Sequence, residues 1–274
     1  MPLSRVSRVM DTVTNAITAL GRGFLGRVSS WRQVLGLTIN ALAVALTPRF
    51  YANSAIRSVV IKQIYFTAWQ IIPEFTLFAA LISFVLIEIV VSTAREFALS
   101  AYALEMTIRV LVMEVLPLLT AFFVALRSGA AINTEVALMN INHELQALER
   151  AGVDALRFEL IPRIIGGGVS VVALTAISSS VALVIAYWVV YGFQFWGLTD
   201  FGQVLARIFT PFSIAVLWLK TLLFGIAVSV IPIAAGLQVP QKLFFAPIAV
   251  LQGMVRLFTI IMLVEVASLA LRYI

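Results

Sequence analysis

The sequence predicts an all-α integral membrane protein with five transmembrane helices, preceded by an N-terminal interfacial helix and an elbow. Of its 274 residues, 62% are hydrophobic and 12% are charged, and the mean hydropathy is +1.05. A soluble domain carries about 25% charged residues, so this chain cannot cover a water-facing surface with polar groups. Two further observations support the fold class: five long apolar stretches, and a basic amphipathic segment that precedes them.

The five apolar stretches are long enough to cross a bilayer. A helical span needs about 20 predominantly apolar residues for roughly 30 Å of hydrocarbon. The third and fifth stretches are long enough to tilt. An odd number of spans without an internal repeat argues against the inverted-repeat transporters. The predicted spans are about 71–93, 107–126, 164–192, 212–236 and 247–271.

Two segments before the first span have a different character. Residues 3–34 place apolar side chains at helical spacing with arginines between them, which predicts an amphipathic helix lying in the membrane interface. The same segment lacks the uninterrupted apolar core of a cleavable signal, so we expect it to be retained. Residues 34–47 are apolar but too short to span, and Pro48 ends them, which predicts an interfacial or re-entrant elbow.

The distribution of basic residues predicts the orientation. If the N-terminus is cytoplasmic, the cytoplasmic segments 1–62, 127–163 and 237–256 hold 14 of the 19 Lys and Arg residues. This bias predicts a multi-pass membrane protein with a cytoplasmic N-terminus and a C-terminus on the opposite side. We attribute the high pI of about 10.1 to this topology and expect no nucleic-acid partner.

Several chemistries are disfavoured by composition. The sequence contains no cysteine, which excludes thiol catalysis and Cys-ligated metal. His143 is the one histidine, which argues against a His-based metal site or a serine–histidine dyad. No GxxxxGK[ST] loop is present, so the chain does not bind ATP through a P-loop of its own. We therefore expect neither enzymatic activity nor a cofactor on this chain.

Residues 133–150 predict an amphipathic helix on the cytoplasmic side, after the second span. It could rest on the bilayer, or it could dock into a partner protein. Interfacial helices favour Lys and Arg on their polar face, whereas this face is acidic and the anionic inner leaflet would repel it. We therefore prefer a protein partner. The apolar stripe consists of Leu138, Ile141, Leu145 and Leu148, and the polar face includes Glu135, His143, Glu144 and Glu149.

Ionisable side chains also lie inside the predicted spans. Each costs about 2.5–3.5 kcal/mol at the bilayer centre on insertion scales, so such groups normally face the bundle interior or a wet cavity. Lys220 could form a structural ion pair with Glu265 or Glu114, or Lys220 and Glu114 could form a polar patch in a lipid cavity. A third alternative is a proton relay through Glu88, Glu114 and Glu265, as in a proton-coupled secondary transporter.

The stretch "VMEVLPLLTAFFVALRSGAAINTEVALMNINHELQALERAGVDALRFELIPRII", which includes Glu114 and Arg163, resembles the MlaE/YrbE permeases of lipid-transporting ABC systems. The similarity is long and ungapped, and "VVIKQIYFTAWQIIP" before it and "WLKTLLFG" after it resemble the same family. The resemblance covers residues 55–236 well and assigns 51–274 to an MlaE-type permease domain after an N-terminal region, 1–50. Matching positions include Glu114, Pro117, Leu118, Thr120, Arg127, Gly129, Glu135, Met139, Glu144, Gly152, Asp154, Arg157, Pro162 and Arg163.

This resemblance implies a specific role. Such permeases are similar in forming homodimers that work with a cytoplasmic ABC ATPase, a periplasmic MCE-domain protein and often a STAS-domain protein. The implied substrate is phospholipid or a related lipid, moved between the inner membrane and the envelope, with a role in outer-membrane asymmetry. The chain would then lie in the inner membrane, with its C-terminus in the periplasm. Residues 133–150 would be the coupling helix. The resemblance also suggests Phe97 and Val115, besides Glu114 and Lys220, as lining residues of the lipid cavity.

The sequence departs from the family pattern next to the acid in the second span. Met113 stands where the family has an arginine, and Leu116 stands where it has a glycine. Glu265 stands where the family often has aspartate. Loss of the neighbouring arginine removes a partner that Glu114 would otherwise have, so we expect a different headgroup preference or mechanism.

Overall fold

The computed structural model describes residues 32, 34–97, 100–242, 244 and 246–273, and within these ranges it contains helices and no β-strand. The all-α fold class is confirmed. The predicted interfacial helix over residues 3–34 lies outside the described residues, apart from positions 32 and 34.

The elbow consists of two short helices. Helix α1 covers Val34–Ala45 and is apolar but too short to span, and α2 covers Pro48–Ala52. Pro48 lies in the first turn of α2, where its missing N–H costs nothing and its fixed φ favours a helix start. Exposed apolar side chains line the outer side of α1, among them Leu35 and Ile39, and Leu46 just after it is exposed as well. A water-facing helix would not keep such a surface, so α1 is suited to lying against lipid.

Five helices are long and apolar enough to cross a membrane, which confirms the predicted number. Several are longer than the hydropathy of the sequence indicates, because polar residues at their ends continue the helical hydrogen bonding. The first begins in α3, Ser54–Thr67, and continues through a 3₁₀ turn into α4, Ile72–Glu96. The five spans are Ser54–Glu96, Tyr102–Ile141, Leu156–Tyr191, Pro211–Leu237 and Ala246–Arg272.

The second span is a continuous helical path with two wider turns in it. Helix α5, Ser100–Val110, leads through a π-helical turn to α6, Leu116–Val124. A second π-helical turn leads to α7, Ala130–Ile141. Such π turns are rare and occur frequently at functional sites.

The prediction of one helix over residues 133–150 is wrong. The helix breaks after α7, and a separate helix α8 covers Glu144–Arg150. His143 adopts the left-handed conformation with φ of 61°, while the Asn142 N–H still donates to the Leu138 carbonyl. Asn and His tolerate this conformation better than most non-glycine residues. The leucine stripe continues in the sequence across the break, which is why the periodicity does not reveal it.

The remaining helices complete the bundle around α11. A π-helical turn at Leu156–Leu160 leads into α9, Ile161–Tyr191, and α10 follows at Leu198–Ile208. Helix α11, Pro211–Leu237, packs against α9, α7 and the last helix α12, Ala246–Tyr273. The first span packs against α9 instead, so α9 and α11 together connect the five spans.

Glycines allow α9 to approach its neighbours closely. A Cβ atom at Gly225 of α11 would lie 2.7 Å from the Cα atom of Gly168 of α9. A Cβ at Gly166 would lie 3.0 Å from the Gln63 Cβ of α3. In membranes, where helices do not associate through the hydrophobic effect, such small-residue contacts supply the close packing.

The elbow is anchored to one end of the bundle by an apolar core. Phe50 of α2 and Ile56 of α3 belong to the same buried cluster as Ile132, Ile161 and Ile233. These last three side chains come from α7, α9 and α11. The elbow, the start of α9, α7 and the end of α11 therefore lie at the same end of the bundle.

Candidate functional site

Four charged side chains meet between the second, fourth and fifth spans, and we call them the charge cluster: Glu114, Lys220, Glu265 and Arg272. Lys220 Nζ donates to Glu114 Oε2 and lies 3.2 Å from Glu265 Oε2. Arg272 Nη1 donates to Glu114 Oε1, and its Nη2 lies 3.4 Å from the Ser213 carbonyl oxygen. Two carboxylates and two cations form a charge-balanced network.

The charge cluster is buried within the protein. Lys220 is 2% exposed, and the two carboxylate residues are 8% and 6% exposed. Isolated buried charges are strongly disfavoured, so they persist when they are paired and hydrogen-bonded. Since the cluster holds two carboxylates and two cations, removal of one cation would leave a net negative charge buried between three spans.

The local structure of the second span places Glu114 in this network. Glu114 lies in the π-helical turn Leu111–Val115, and Pro117 follows in the first turn of α6. A proline lacks the N–H that an α-helix would use at that position, and its ring would clash with the carbonyl four residues earlier. The wider turn accommodates the proline and changes the direction in which Glu114 projects, because it inserts an extra residue into the helix.

The two cations lie toward opposite ends of their helices, Lys220 in the first half of α11 and Arg272 in the last turn of α12. Lys220 lies nine residues after the start of α11, which corresponds to about 14 Å at a rise of about 1.5 Å per residue. Glu265 and Arg272 are seven residues apart near the end of α12, so they lie on one helix face. Because α11 and α12 pack side by side in opposite directions, the start of one meets the end of the other.

Sequence reasoning missed Arg272. Arg272 lies outside the predicted cytoplasmic segments, at the end of the last span, where a positive charge did not indicate a buried partner. In the structure Arg272 supplies a guanidinium to Glu114, so the expectation that Met113 leaves Glu114 without an arginine partner is wrong. Met113 itself is buried. The seven-residue spacing between Glu265 and Arg272 was the signal in the sequence that could have indicated a shared face.

The two additional lining candidates lie in different surroundings. Val115 is half-buried and packs against the main apolar core beside Glu114. Phe97 is 70% exposed and lines a groove of about 900 Å³ between α4 and α5, whose other walls include Tyr102, Met106 and Arg109. No member of the charge cluster lines this groove. The structure therefore does not bring Phe97 together with Glu114 and Lys220.

Glu88, the remaining member of the considered proton relay, is exposed on α4. Among the described residues it forms no ion pair with the charge cluster. Glu114 and Glu265 are instead connected through the cation of Lys220. Glu88, Glu114 and Glu265 therefore do not form a chain of adjacent carboxyl groups along which a proton could pass.

The four residues expected to contact a partner ATPase are split between α7 and the corner that follows. Glu135 of α7 pairs with Arg163 of α9 at 3.3 Å, and Arg163 also pairs with Glu159 at 2.6 Å. Glu135 therefore contributes to an intramolecular network between the second and third spans. Its side chain remains 57% exposed, so one edge of the carboxylate faces outward.

The corner between α7 and α8 presents the other three residues. His143 Nδ1 lies 3.1 Å from Gln146 Oε1, and Glu144 and Glu149 are exposed on α8. Asn140 in the last turn of α7 donates to the Leu237 and Val239 carbonyls at 3.2 Å each. These bonds attach the corner to the end of α11, while the acidic face of α8 remains uncovered.

The fold and the charge cluster define an α-helical, multi-pass membrane protein with a buried ionic network and an exposed acidic helix at one end. The chain belongs to the family described as permease MlaE, whose model matches residues 60–271. The predicted family resemblance is confirmed.

A curated relative supports this membership. Over 127 residues the chain is 26% identical to a Synechocystis protein named as a probable ABC transporter permease protein. The alignment covers 46% of this chain and 48% of the relative, so it spans about half the length of each.

Proposed function

We propose that the chain is the membrane subunit of an ABC transporter that moves phospholipid or a related lipid between the inner membrane and a periplasmic MCE-domain carrier. It would act as a homodimer, with ATP hydrolysed by a cytoplasmic partner ATPase and, in some assemblies, a STAS-domain protein bound. Its N-terminus would be cytoplasmic and its C-terminus periplasmic. The observation that carries the proposal is the continuous helix between the acidic corner and the charge cluster.

That helix provides a mechanical connection. From Glu114 to the end of α7 at Ile141 there are 27 residues of helix, or about 40 Å at about 1.5 Å per residue. A displacement of α8 by a partner would move α7, and the second span would carry the movement to Glu114. The π-helical turns at both ends of α6 are positions at which the helix can change its hydrogen bonding, because their geometry is less favourable than that of an α-helix.

The chemistry of the charge cluster suits a lipid headgroup. A phosphate can replace a carboxylate as the partner of Lys220 or Arg272, since ammonium and guanidinium groups bind both. Movement of Glu114 would weaken its bonds to these two cations and make them available to a phosphate. Return of Glu114 would expel the phosphate. The separate apolar groove at Phe97 would accept acyl chains, and a second copy of the chain would close the cavity.

The test is ATPase stimulation in a reconstituted complex. The chain is purified with its P-loop ATPase in lipid nanodiscs, and ATP hydrolysis is compared with that of the ATPase alone. Glu144→Lys should abolish stimulation without lowering membrane insertion, because it reverses the charge of the exposed face of α8. Glu96→Lys is the matched control, because Glu96 is an exposed acid at the other end of the bundle.

Two outcomes would contradict the proposal. Unchanged stimulation in Glu144→Lys would remove the docking role of α8. Full lipid transport by the purified chain without any ATPase would instead support a secondary transporter driven by protons.

A further inference from the structure

A cavity of about 420 Å³ lies between the elbow and the segment that leads into α9. We call it the elbow cavity. It lies at the end of the bundle that holds α7 and the start of α9, whereas Lys220 lies near the start of α11, at the opposite end. It is therefore separate from the charge cluster. Its walls include Thr47, Arg49, Phe50, Asn53, Ile56 and Arg157.

Two arginines from distant parts of the sequence line this cavity. Arg157 uses its Nε to contact Asp154 Oδ2 at 3.2 Å, and its backbone N–H donates to Asp154 Oδ1. Asp154 thereby orients the guanidinium of Arg157. The two terminal nitrogens of Arg157 have no acceptor within the described residues. Arg49 forms no ion pair within the part of the chain that the structure describes.

A polar amide adds a further donor. The Asn53 side-chain oxygen accepts from the Ala55 N–H at the start of α3, which fixes the orientation of the amide. Its Nδ2 group donates no hydrogen bond within the described ranges. The mouth of the cavity therefore offers two guanidinium groups and an amide N–H₂, against one carboxylate that is already engaged with Arg157. This balance favours an anion with several acceptor oxygens.

The deeper wall of the cavity is apolar. Phe50 and Ile56 are each 7% exposed and belong to the apolar core that anchors the elbow. Helix α1 contributes Val44 to the cavity wall and exposes Leu35 and Ile39, at 60% and 65%, on its opposite side; Leu46, just after α1, is 80% exposed. The sequence predicts that this elbow lies in the membrane interface, where bilayer hydrocarbon would cover such a surface. A ligand here would meet cations on one side and lipid chains on the other. A molecule that fits both surroundings has a charged headgroup and an apolar tail, so it is an amphiphile.

We propose that the elbow cavity binds the headgroup of an anionic glycerophospholipid from the surrounding leaflet. The phosphate and its neighbouring oxygens occupy the space between Arg49 and Arg157, and the acyl chains extend around α1 toward its exposed apolar side. The bound lipid connects the elbow to the segment before α9, so it fixes the position of the elbow against the third span. This site would be occupied by a resident lipid and does not depend on the proposed transport function.

The experiment uses the purified full chain in detergent, with thermal unfolding as the readout. Dioleoyl phosphatidylglycerol, dioleoyl phosphatidylcholine and inorganic phosphate are titrated separately. Phosphatidylglycerol should raise the unfolding temperature, while phosphatidylcholine and free phosphate should not. Binding through two exposed arginines should also weaken as sodium chloride rises from 50 to 500 mM, since salt screens exposed charges.

Variants assign the effect to the cavity. Arg49→Gln and Arg157→Gln should each require about fivefold more phosphatidylglycerol for half of the stabilisation, the loss expected for one basic residue at an anionic lipid surface. Arg57→Gln is the matched control, because Arg57 is exposed on α3 and does not line the cavity. It should leave the titration unchanged.

Each contrary result would overturn the proposal on its own. Equal stabilisation by phosphatidylcholine would show that headgroup charge is not recognised. An equal effect of inorganic phosphate would assign the cavity to a soluble anion. Titrations that are insensitive to salt, or that are the same in Arg49→Gln, Arg157→Gln and Arg57→Gln, would place the bound lipid elsewhere. The lipid comparison and the salt dependence require no variant, so they decide the matter even if a glutamine variant does not fold.

Discussion

Arg272, in the last turn of α12, donates to the Glu114 carboxylate in the second span, 158 positions earlier in the chain. This contact replaces the guanidinium that the sequence lacks at Met113 with one from another helix. It also means that Glu114 has a cation on each carboxylate oxygen, Lys220 on one and Arg272 on the other. Glu114 is therefore paired with a cation from α11 and with a cation from α12.

The first prediction concerns Arg272→Gln. Removing one partner of a buried ion pair typically costs about 3–5 kcal/mol. The loss here should be smaller, about 1–3 kcal/mol, because Lys220 still pairs with Glu114 and the amide can donate one hydrogen bond. Thermal or denaturant unfolding in detergent measures the change. Arg207→Gln, at an exposed arginine of α10, should have no such effect. Equal stability of the two variants would mean that the Arg272 contact contributes nothing.

The second prediction separates the structural role of Lys220 from a role in lipid binding. Lys220→Ala leaves the carboxylates of Glu114 and Glu265 without their shared cation, so both stability and co-purified phospholipid should fall. In the double variant Lys220→Met/Glu265→Gln, a neutral pair replaces the charged one, and stability should largely return. Lipid measured by mass spectrometry should remain low because the ammonium group is still absent. If lipid occupancy returns with stability, Lys220 acts only as a structural ion-pair partner.

Much of this arrangement could be predicted from the sequence, and there are physical reasons why the remainder could not. The composition determines the membrane class, and the cost of buried charge indicates that Lys220 must find a carboxylate. Arg272 was not recognised because positive charges at span ends are expected for topology alone. The break at His143 was not recognised because the leucine stripe continues past it, and a single left-handed residue leaves no periodic signal.

The third prediction concerns the contact between α9 and α11. Gly225→Ala would place a methyl group 2.7 Å from the Gly168 Cα, against backbone that cannot rotate away. The helices must separate, so we expect a loss of about 1–3 kcal/mol, as for overpacked cores. Gly202→Ala in α10 is the control, since a Cβ there meets nothing within 4 Å. It should be neutral or slightly stabilising because alanine favours a helix. Equal unfolding temperatures for the two variants would exclude the close contact.

The fourth prediction tests whether His143 acts through its backbone conformation. With φ of 61°, it ends α7 and turns the chain into α8. Glycine adopts this conformation without steric cost, whereas a β-branched residue pays at least about 1–2 kcal/mol. His143→Gly should therefore retain ATPase stimulation in the reconstituted complex, while His143→Val should lose it. Ala147→Val, an exposed position one turn later, serves as the β-branched control and should retain stimulation. Loss of stimulation in His143→Gly, together with normal stimulation in His143→Val, would show that the backbone conformation at the corner is not what matters.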